Sequence, residues 1–171
     1  MNYSTIRAEL PADEQAINAL TVKAFAPMSF SDGSEAPIIR ALRRSGELSL
    51  SLVALAKEGE IVGHVAFSPV TINDLHNEWF GLGPISVDPA VQRAGIGRAL
   101  VHTGLGILRE RGASGCALIG NPAIYSRYGF ESDGSLTHGD LPASIVQRVV
   151  FSGPAPTGEL KFASAFEVGN H

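Results

Sequence analysis

Apolar and polar positions change period several times along the chain, and each change marks an element. "YSTIRAEL" has a short strand pattern, and "PADEQAINALTVKAF" then turns helical, with Pro11 and Asp13 near its start and Ile17, Leu20, Val22 and Phe25 available for burial. "EAPIIRALRRSG" predicts a second, shorter helix that places Ile38, Ile39 and Leu42 on one side and ends at Gly46. "LSLSLVALAKEGEIVGHVAFSPVTI" reads as antiparallel β-structure with a hairpin turn at Gly59. "EWFGLGPISV" is a further strand, but Pro84 cannot donate to a ladder and marks an edge, a bulge or a place where neighbouring strands part. From Gly95 to Gly112 the pattern is helical again, with Ile96, Leu100, Gly104 and Leu108 recurring every four residues. "GASGCALIG" follows as a buried strand, and "NPAIYSRYGF" starts with Pro122 where a first helical turn accepts it. The tail, "SIVQRVVF" and "ELKFASAF", alternates weakly as strand around a "SGPAPTG" loop.

Length and composition narrow the class. At 171 residues with 44% hydrophobic and 18% charged positions, the chain fits one α/β domain, with residues 132–171 as its strand-rich C-terminal extension. A net charge of −4 without a basic run argues against nucleic acid as partner. No uninterrupted apolar stretch is long enough to span a membrane and the N-terminus lacks a signal-peptide core, so a cytoplasmic protein is expected. Cys116 is the single cysteine and lies in an apolar run, where a small core residue is expected rather than a nucleophile. No metal site is expected.

The chemistry concentrates in "VDPAVQRAGIGRALV", residues 87–101, where Gly95 and Gly97 stand at a helix start. Glycine costs about 1 kcal/mol against alanine inside a helix, so its presence suggests close approach of a ligand to the backbone. A strand, a tight turn and a glycine-bearing helix N-terminus hold phosphate through unpaired N–H groups and the positive helix end. The sequence after Gly97 lacks the lysine and hydroxyl of a P-loop, and a third glycine of the dinucleotide fingerprint is missing.

"QRAGIG", residues 92–97, resembles the [RQ]-x-x-G-x-[GA] signature of the GNAT family of N-acetyltransferases. "LGPISV" before it resembles the family's central strand, and "AIYSRYGF" resembles its Y-x-x-x-G-F element. The order of strand, two helices and hairpin is also the family's, so the resemblance covers most of residues 3–131, with the tail looking like a bacterial subgroup. It implies a mixed central β-sheet flanked by helices, with splayed central strands forming a cleft for acetyl-CoA. In that fold the main chain of Gln92, Arg93, Ala94, Gly95, Ile96, Gly97 and Arg98 holds the pyrophosphate, with Arg93 or Arg98 adding charge. The backbone of Ile85, Ser86 and Val87 meets the pantetheine arm and polarises the thioester.

The resemblance places Tyr125 beside the cofactor sulfur as proton donor, since its ordinary pKa of about 10 meets a thiolate whose conjugate acid is near 8.5. Asn121 stands four residues before it, where many members place an asparagine at seven. The base is not specified: between Glu78 and Asp88 the strand has no ionisable residue, and Glu78, His64, His76 and Asp74 all remain candidates. The acceptor is expected against the early helices and their "APMSFSDGS" loop, with Phe25, Phe30, Asp32 and Glu35 lining its site. The function implied is transfer of an acetyl group from acetyl-CoA to a primary amine, by a monomer or a homodimer. The competing reading is an acyl-CoA-binding sensor or interaction module on the same fold.

Overall fold

The computed structural model describes residues 3, 5–92 and 94–170, the last three of these by backbone alone. Among the described residues nine strands and four helices follow in chain order: β1 (Thr5–Ala8), α1 (Glu14–Phe25), α2 (Glu35–Ser45), β2 (Leu50–Leu55), β3 (Ile61–Pro69), β4 (Thr71–Ile72) and β5 (Trp79–Val87). Then come α3 (Ile96–Glu110), β6 (Gly115–Ile119), α4 (Pro122–Tyr125), β7 (Leu136–Thr137), β8 (Val146–Val150) and β9 (Gly158–Lys161). The main sheet has the order β1-β2-β3-β5-β6-β8, and every pairing in it is antiparallel except that of β5 with β6. A small second sheet, β4-β9-β7, was not indicated by the sequence pattern.

Helices cover both faces. On one, Ile96, Leu100, Val101, Leu105 and Leu108 of α3 bury against Leu50, Leu52, Ala54, Val65, Phe67 and Leu82. Two glycines permit that approach: a methyl on Gly63 would sit 2.7 Å from Ile96 Cγ2, and one on Gly104 would overlap the Phe67 ring. On the other face Ile17 of α1 and Ile39 of α2 meet Val53. The face α1 turns inward carries Ile17, Leu20, Thr21 and Ala24, at the spacing of one helical stripe. Val22 lies off that stripe and is 56% exposed, which corrects the expectation that it is buried.

The tail also departs from its pattern. β8 and β9 form, but Ser164–Asn170 is a 3-10 helix instead of strand. Ala163 and Ala165 are small enough to pack directly on Ile38 and Leu42 of α2, and the Phe166 N–H donates to the Ala163 carbonyl at 3.0 Å. Burial against a helix decides the conformation here.

Candidate active site

The centre of the sheet is open on one side. β5 pairs with β6 only from Trp79–Gly115 to Gly81–Ala117, after which Leu118 and Ile119 of β6 continue with β8 alone. On its other edge β5 keeps β3 but slips: Val65 faces Ile85 while Phe67 faces Leu82, so an extra residue stands opposite Ala66. That bulge contains Pro84, which has no N–H to contribute. Beyond it Ile85, Ser86 and Val87 resume pairing with β3 and turn an unpaired edge toward the gap left by β6.

The chain leaving β5 makes a 3-10 turn at Pro89–Val91, where the Asp88 carboxylate accepts from the Ala90 N–H at 3.0 Å and binds Lys23 of α1 at 3.1 Å. Gln92 donates from Nε2 to the Val87 carbonyl at 3.2 Å, tying the loop back to the strand. Gly95 then adopts φ +88° as the N-cap of α3 and, among the described residues, no N-cap side chain bonds the helix end. The first-turn N–H groups of an uncapped helix lack intrahelical partners and, with the helix dipole, suit an anion. Gly97 has an ordinary helical φ, and a methyl there would meet only Val87 Cγ2 at 3.7 Å. The two glycines therefore differ: backbone geometry requires Gly95, while the space around Gly97 is open. Ala94 and Ile96 flank Gly95, with Ile96 buried, and Arg98 is exposed on the first turn. Arg93 lies outside the described residues.

At the far rim, β6 is followed by Gly120, whose carbonyl accepts from Gln147 Nε2 at 2.9 Å and whose N–H donates to the Ile145 carbonyl at 3.1 Å. The Tyr125 ring lies over this glycine, where a Cβ would stand 2.7 Å from Tyr125 Cε2. Phe130 and Tyr128 hold the ring from other sides, with centroids at 6.2 and 6.3 Å, and Tyr128 itself rests edge-on against His102. Burial, and then the neighbouring Tyr128, push the Tyr125 phenol above its ordinary pKa, so it stays protonated at neutral pH. Asn121 accepts from the Ala123 N–H at 3.0 Å as the cap of α4, which accounts for it structurally. The splayed strand pair thus lies between a glycine-led helix N-terminus that follows β5 and a protonated phenol packed beside the end of β6.

Residues 16–130 match the model of the acetyltransferase (GNAT) family. The chain belongs to the GNAT acetyltransferase family. It is 41% identical over 126 residues to the N-acetyltransferase YhbS of Escherichia coli, an alignment covering 74% of this chain and 72% of that protein. A GNAT acetyltransferase from Brucella melitensis, solved in complex with acetyl-CoA, superposes with a TM-score of 0.86 at 39% identity, covering 97% of this chain and 99% of that one. The E. coli YhbS structure in complex with CoA gives 0.89 at 33% identity, covering 98% and 93%.

On the α1–α2 side of this GNAT fold, a cavity of about 190 Å³ is lined by Thr21, Val22, Phe25, Ala26, Ser31, Gly33, Glu35 and Ala36. It brings together Phe25 and Glu35, and the Glu35 carboxylate accepts from Ser31 Oγ at 2.6 Å. Phe30 is 78% exposed and does not line it. Asp32 also stands apart, accepting from the Ser34 N–H at 3.0 Å. Cys116 is fully buried, and burial pushes its thiol far above the ordinary range, so it is no nucleophile. Among the described residues no group of His, Cys, Asp and Glu side chains is placed to hold a metal ion, and no helix is long and apolar enough to cross a membrane.

Some contributors escaped the sequence reading. Gln147 fixes the end of β6 under Tyr125, and its signal is only a polar residue at an inward strand position. A chain of polar groups, half-buried Glu9 and buried Ser51, lies on the sheet face away from α3 and links to the candidate base His64 beside Ser86. Such a chain joins residues far apart in sequence, which periodicity cannot reveal.

Proposed function

We propose that the protein transfers the acetyl group of acetyl-CoA to a primary amine of an acceptor held on the α1–α2 side of the cleft. The observation that carries this reading is the parting of β5 from β6 next to an uncapped, glycine-led helix N-terminus. Pantetheine lies along the open edge of Ile85–Val87 as a substitute strand, which accounts for the unpaired backbone there. The pyrophosphate sits on the N–H groups from Ala94 to Arg98, and Arg98 adds charge. The thioester carbonyl is polarised by a β5 N–H, and fixed backbone dipoles stabilise the developing oxyanion without reorganising.

The acceptor nitrogen adds to the carbonyl carbon, the C–S bond breaks, and the thiolate takes its proton from Tyr125, whose phenolate recovers one from water when the product leaves. A phenol is an intrinsically weaker acid than a thiol. Burial that raises the one also raises a thiolate leaving into the same cleft, keeping the pair matched. Phe25 offers an apolar wall and Glu35 a carboxylate for a cationic amine. The protein works in the cytoplasm, in keeping with a lone buried cysteine that needs no oxidant.

Mass spectrometry of the protein incubated with acetyl-CoA and a panel of primary amines tests the reading. An acetylated amine is the expected product. Acetyl-CoA bound at stoichiometry, with no acylated product from any amine, would instead make the protein an acyl-CoA-binding module.

A further inference from the structure

A cationic acceptor gives up one proton to water before it can attack, and acetyl transfer leaves a second unassigned, that of the nitrogen in the adduct. Of the four ionisable residues the sequence offered as base, three lie at the wrong end of β5. Glu78 directly precedes the strand, eight residues before Ser86, which at ~3.3 Å per residue is roughly 25 Å away. Asp74 pairs with Lys161 at 2.9 Å, and His76 bonds the Val70 carbonyl at 3.0 Å. His64 differs from them, because it is the register partner of Ser86 across the β3–β5 ladder, on the splayed part of β5.

The tautomer of His64 follows from its neighbours. Burial alone would raise the Glu9 carboxyl, but hydrogen bonds from Arg43 and Ser51 outweigh it and hold the group below the ordinary carboxylate range. Arg43 reaches it with Nε at 2.9 Å and a second guanidinium nitrogen at 3.1 Å. An ionised carboxylate only accepts, so the Ser51 hydroxyl donates to Glu9. Ser51 Oγ must then accept from His64 Nε2, at 2.8 Å, and Nε2 carries the ring proton. Nδ1 is left as a bare lone pair. Among the described residues this buried nitrogen has no hydrogen-bond partner, and neither has the buried hydroxyl of Ser86 across the ladder, so the two atoms do not bond each other in the structure. Ladder partners stand with Cβ atoms about 5 Å apart, and a buried unpaired nitrogen next to a buried unpaired hydroxyl is a costly arrangement without a use. The charged groups that face the ring are Glu9, just after β1, and Arg43 from α2.

We infer that His64 Nδ1 receives the acceptor's proton through the Ser86 hydroxyl, with Ser51 and Glu9 as positioning residues. The inference rests on the acetyl-transfer reading above. Once the C–N bond has formed, the Ser86 side chain turns its hydroxyl onto Nδ1, the adduct's N–H proton passes to Ser86 Oγ, and the hydroxyl's own proton passes to Nδ1. The imidazolium so formed keeps its Nε2–H on Ser51 and is balanced by the Glu9 carboxylate, and its proton returns to water when the product leaves. Burial, first, then Arg43 against the opposing Glu9, bring the free His64 down to about 4, so it enters the reaction unprotonated. The nitrogen it serves is that of the tetrahedral adduct, a far stronger acid than a free ammonium.

The test uses the full chain, with acetyl-CoA consumption read as free thiol and either n-butylamine or water as the acceptor. Ser86→Ala should lower kcat by roughly 10²-fold and Ser51→Ala by roughly 10-fold, with the KM for acetyl-CoA unchanged. Nitrogen-15 NMR of the histidine rings, assigned by comparison with His64→Gln, should show Nε2 protonated and Nδ1 bare in the unmodified protein, and loss of that preference in Ser51→Ala. A proton on Nδ1 of the unmodified protein, or wild-type kcat in both serine variants, overturns the inference alone. If the unmodified protein binds acetyl-CoA but releases no thiol above the buffer rate, the acetyl-transfer reading and this inference fall together.

Discussion

Gly95 and Gly97 stand two residues apart, yet the structure assigns them opposite responses to alanine. At Gly95, φ +88° places any Cβ residue in the left-handed region, at a cost of roughly 1–2 kcal/mol. Part of that is offset by the entropy alanine removes from the unfolded chain, roughly 0.4–1 kcal/mol, leaving a net loss of about 1 kcal/mol. Nothing lies within 4 Å of the added methyl, so the loss is conformational and not steric. At Gly97 the backbone is already helical and the methyl gains one ordinary contact, 3.7 Å from Val87 Cγ2, so alanine should stabilise by roughly 0.5–1 kcal/mol. For a chain of 171 residues each kcal/mol moves Tm by about 2–4 °C, and the two variants should melt about 4–8 °C apart. Scanning calorimetry with and without acetyl-CoA measures both halves. The increment from ligand at a hundred times Kd, about 2.7 kcal/mol, should survive in Gly97→Ala and shrink in Gly95→Ala, whose loop can no longer hold its turn. ATP and NAD should give much less. Equal melting of the two variants would refute the left-handed assignment, and an undiminished increment in both would place the pyrophosphate elsewhere.

Tyr125→Phe keeps the ring over Gly120 and deletes only the hydroxyl, so acetyl transfer should fall by roughly 10²- to 10⁴-fold in steady-state kinetics while acetyl-CoA affinity holds. Gly104→Ala drives a methyl into the Phe67 ring at the α3–β3 contact and should lower the denaturant midpoint by an amount worth about 1–3 kcal/mol, with m unchanged. His64 is neutral and buried, with its pKa depressed to about 4 against about 6.5 unfolded, so its contribution is complete above pH 6.5 and is lost as pH falls toward 4. That loss amounts to about 3 kcal/mol, and unfolding curves of His64→Gln across this window should be flatter than those of the unmodified protein.

Elements governed by local periodicity were legible without coordinates. The inward stripe of α3 is read directly from Ile96, Leu100, Gly104 and Leu108, and Gly46 closes α2 at φ +80°. What periodicity misjudged was set by contacts distant in sequence. Val22 fits an apolar pattern but sits beside the cavity rather than in the core, and Ser164–Asn170 is shaped by the alanines that meet α2. "LSLSLV" alternates like a strand with one solvated face, yet β2 is buried nearly throughout because α1 and α2 cover its second side. Ser51 is therefore an interior hydroxyl, and that change of environment turns an unremarkable serine into a link between Glu9 and His64.

The part of the site that binds the donor and the part that binds the acceptor left unequal traces for a physical reason. In the proposed reading the main chain holds the thioester and the pyrophosphate, which demands departures from regular structure: a proline where a ladder bond is missing, a glycine at φ +88°, a helix whose N-cap offers no side chain. Each is a local rule broken, and residue identity reports it because only proline or glycine suits the position. In the proposed reading the acceptor is held by side chains standing on regular elements. Phe25 ends one ordinary helix and Glu35 begins another, so neither breaks any rule that a sequence reading can detect. The same holds for His64, which is an unexceptional strand residue until its unpaired nitrogen is counted. The proposed donor contacts are thus written in backbone exceptions and the proposed proton path in polar atoms left unsatisfied, and the second kind becomes visible only when the hydrogen bonds of the folded chain are accounted for one by one.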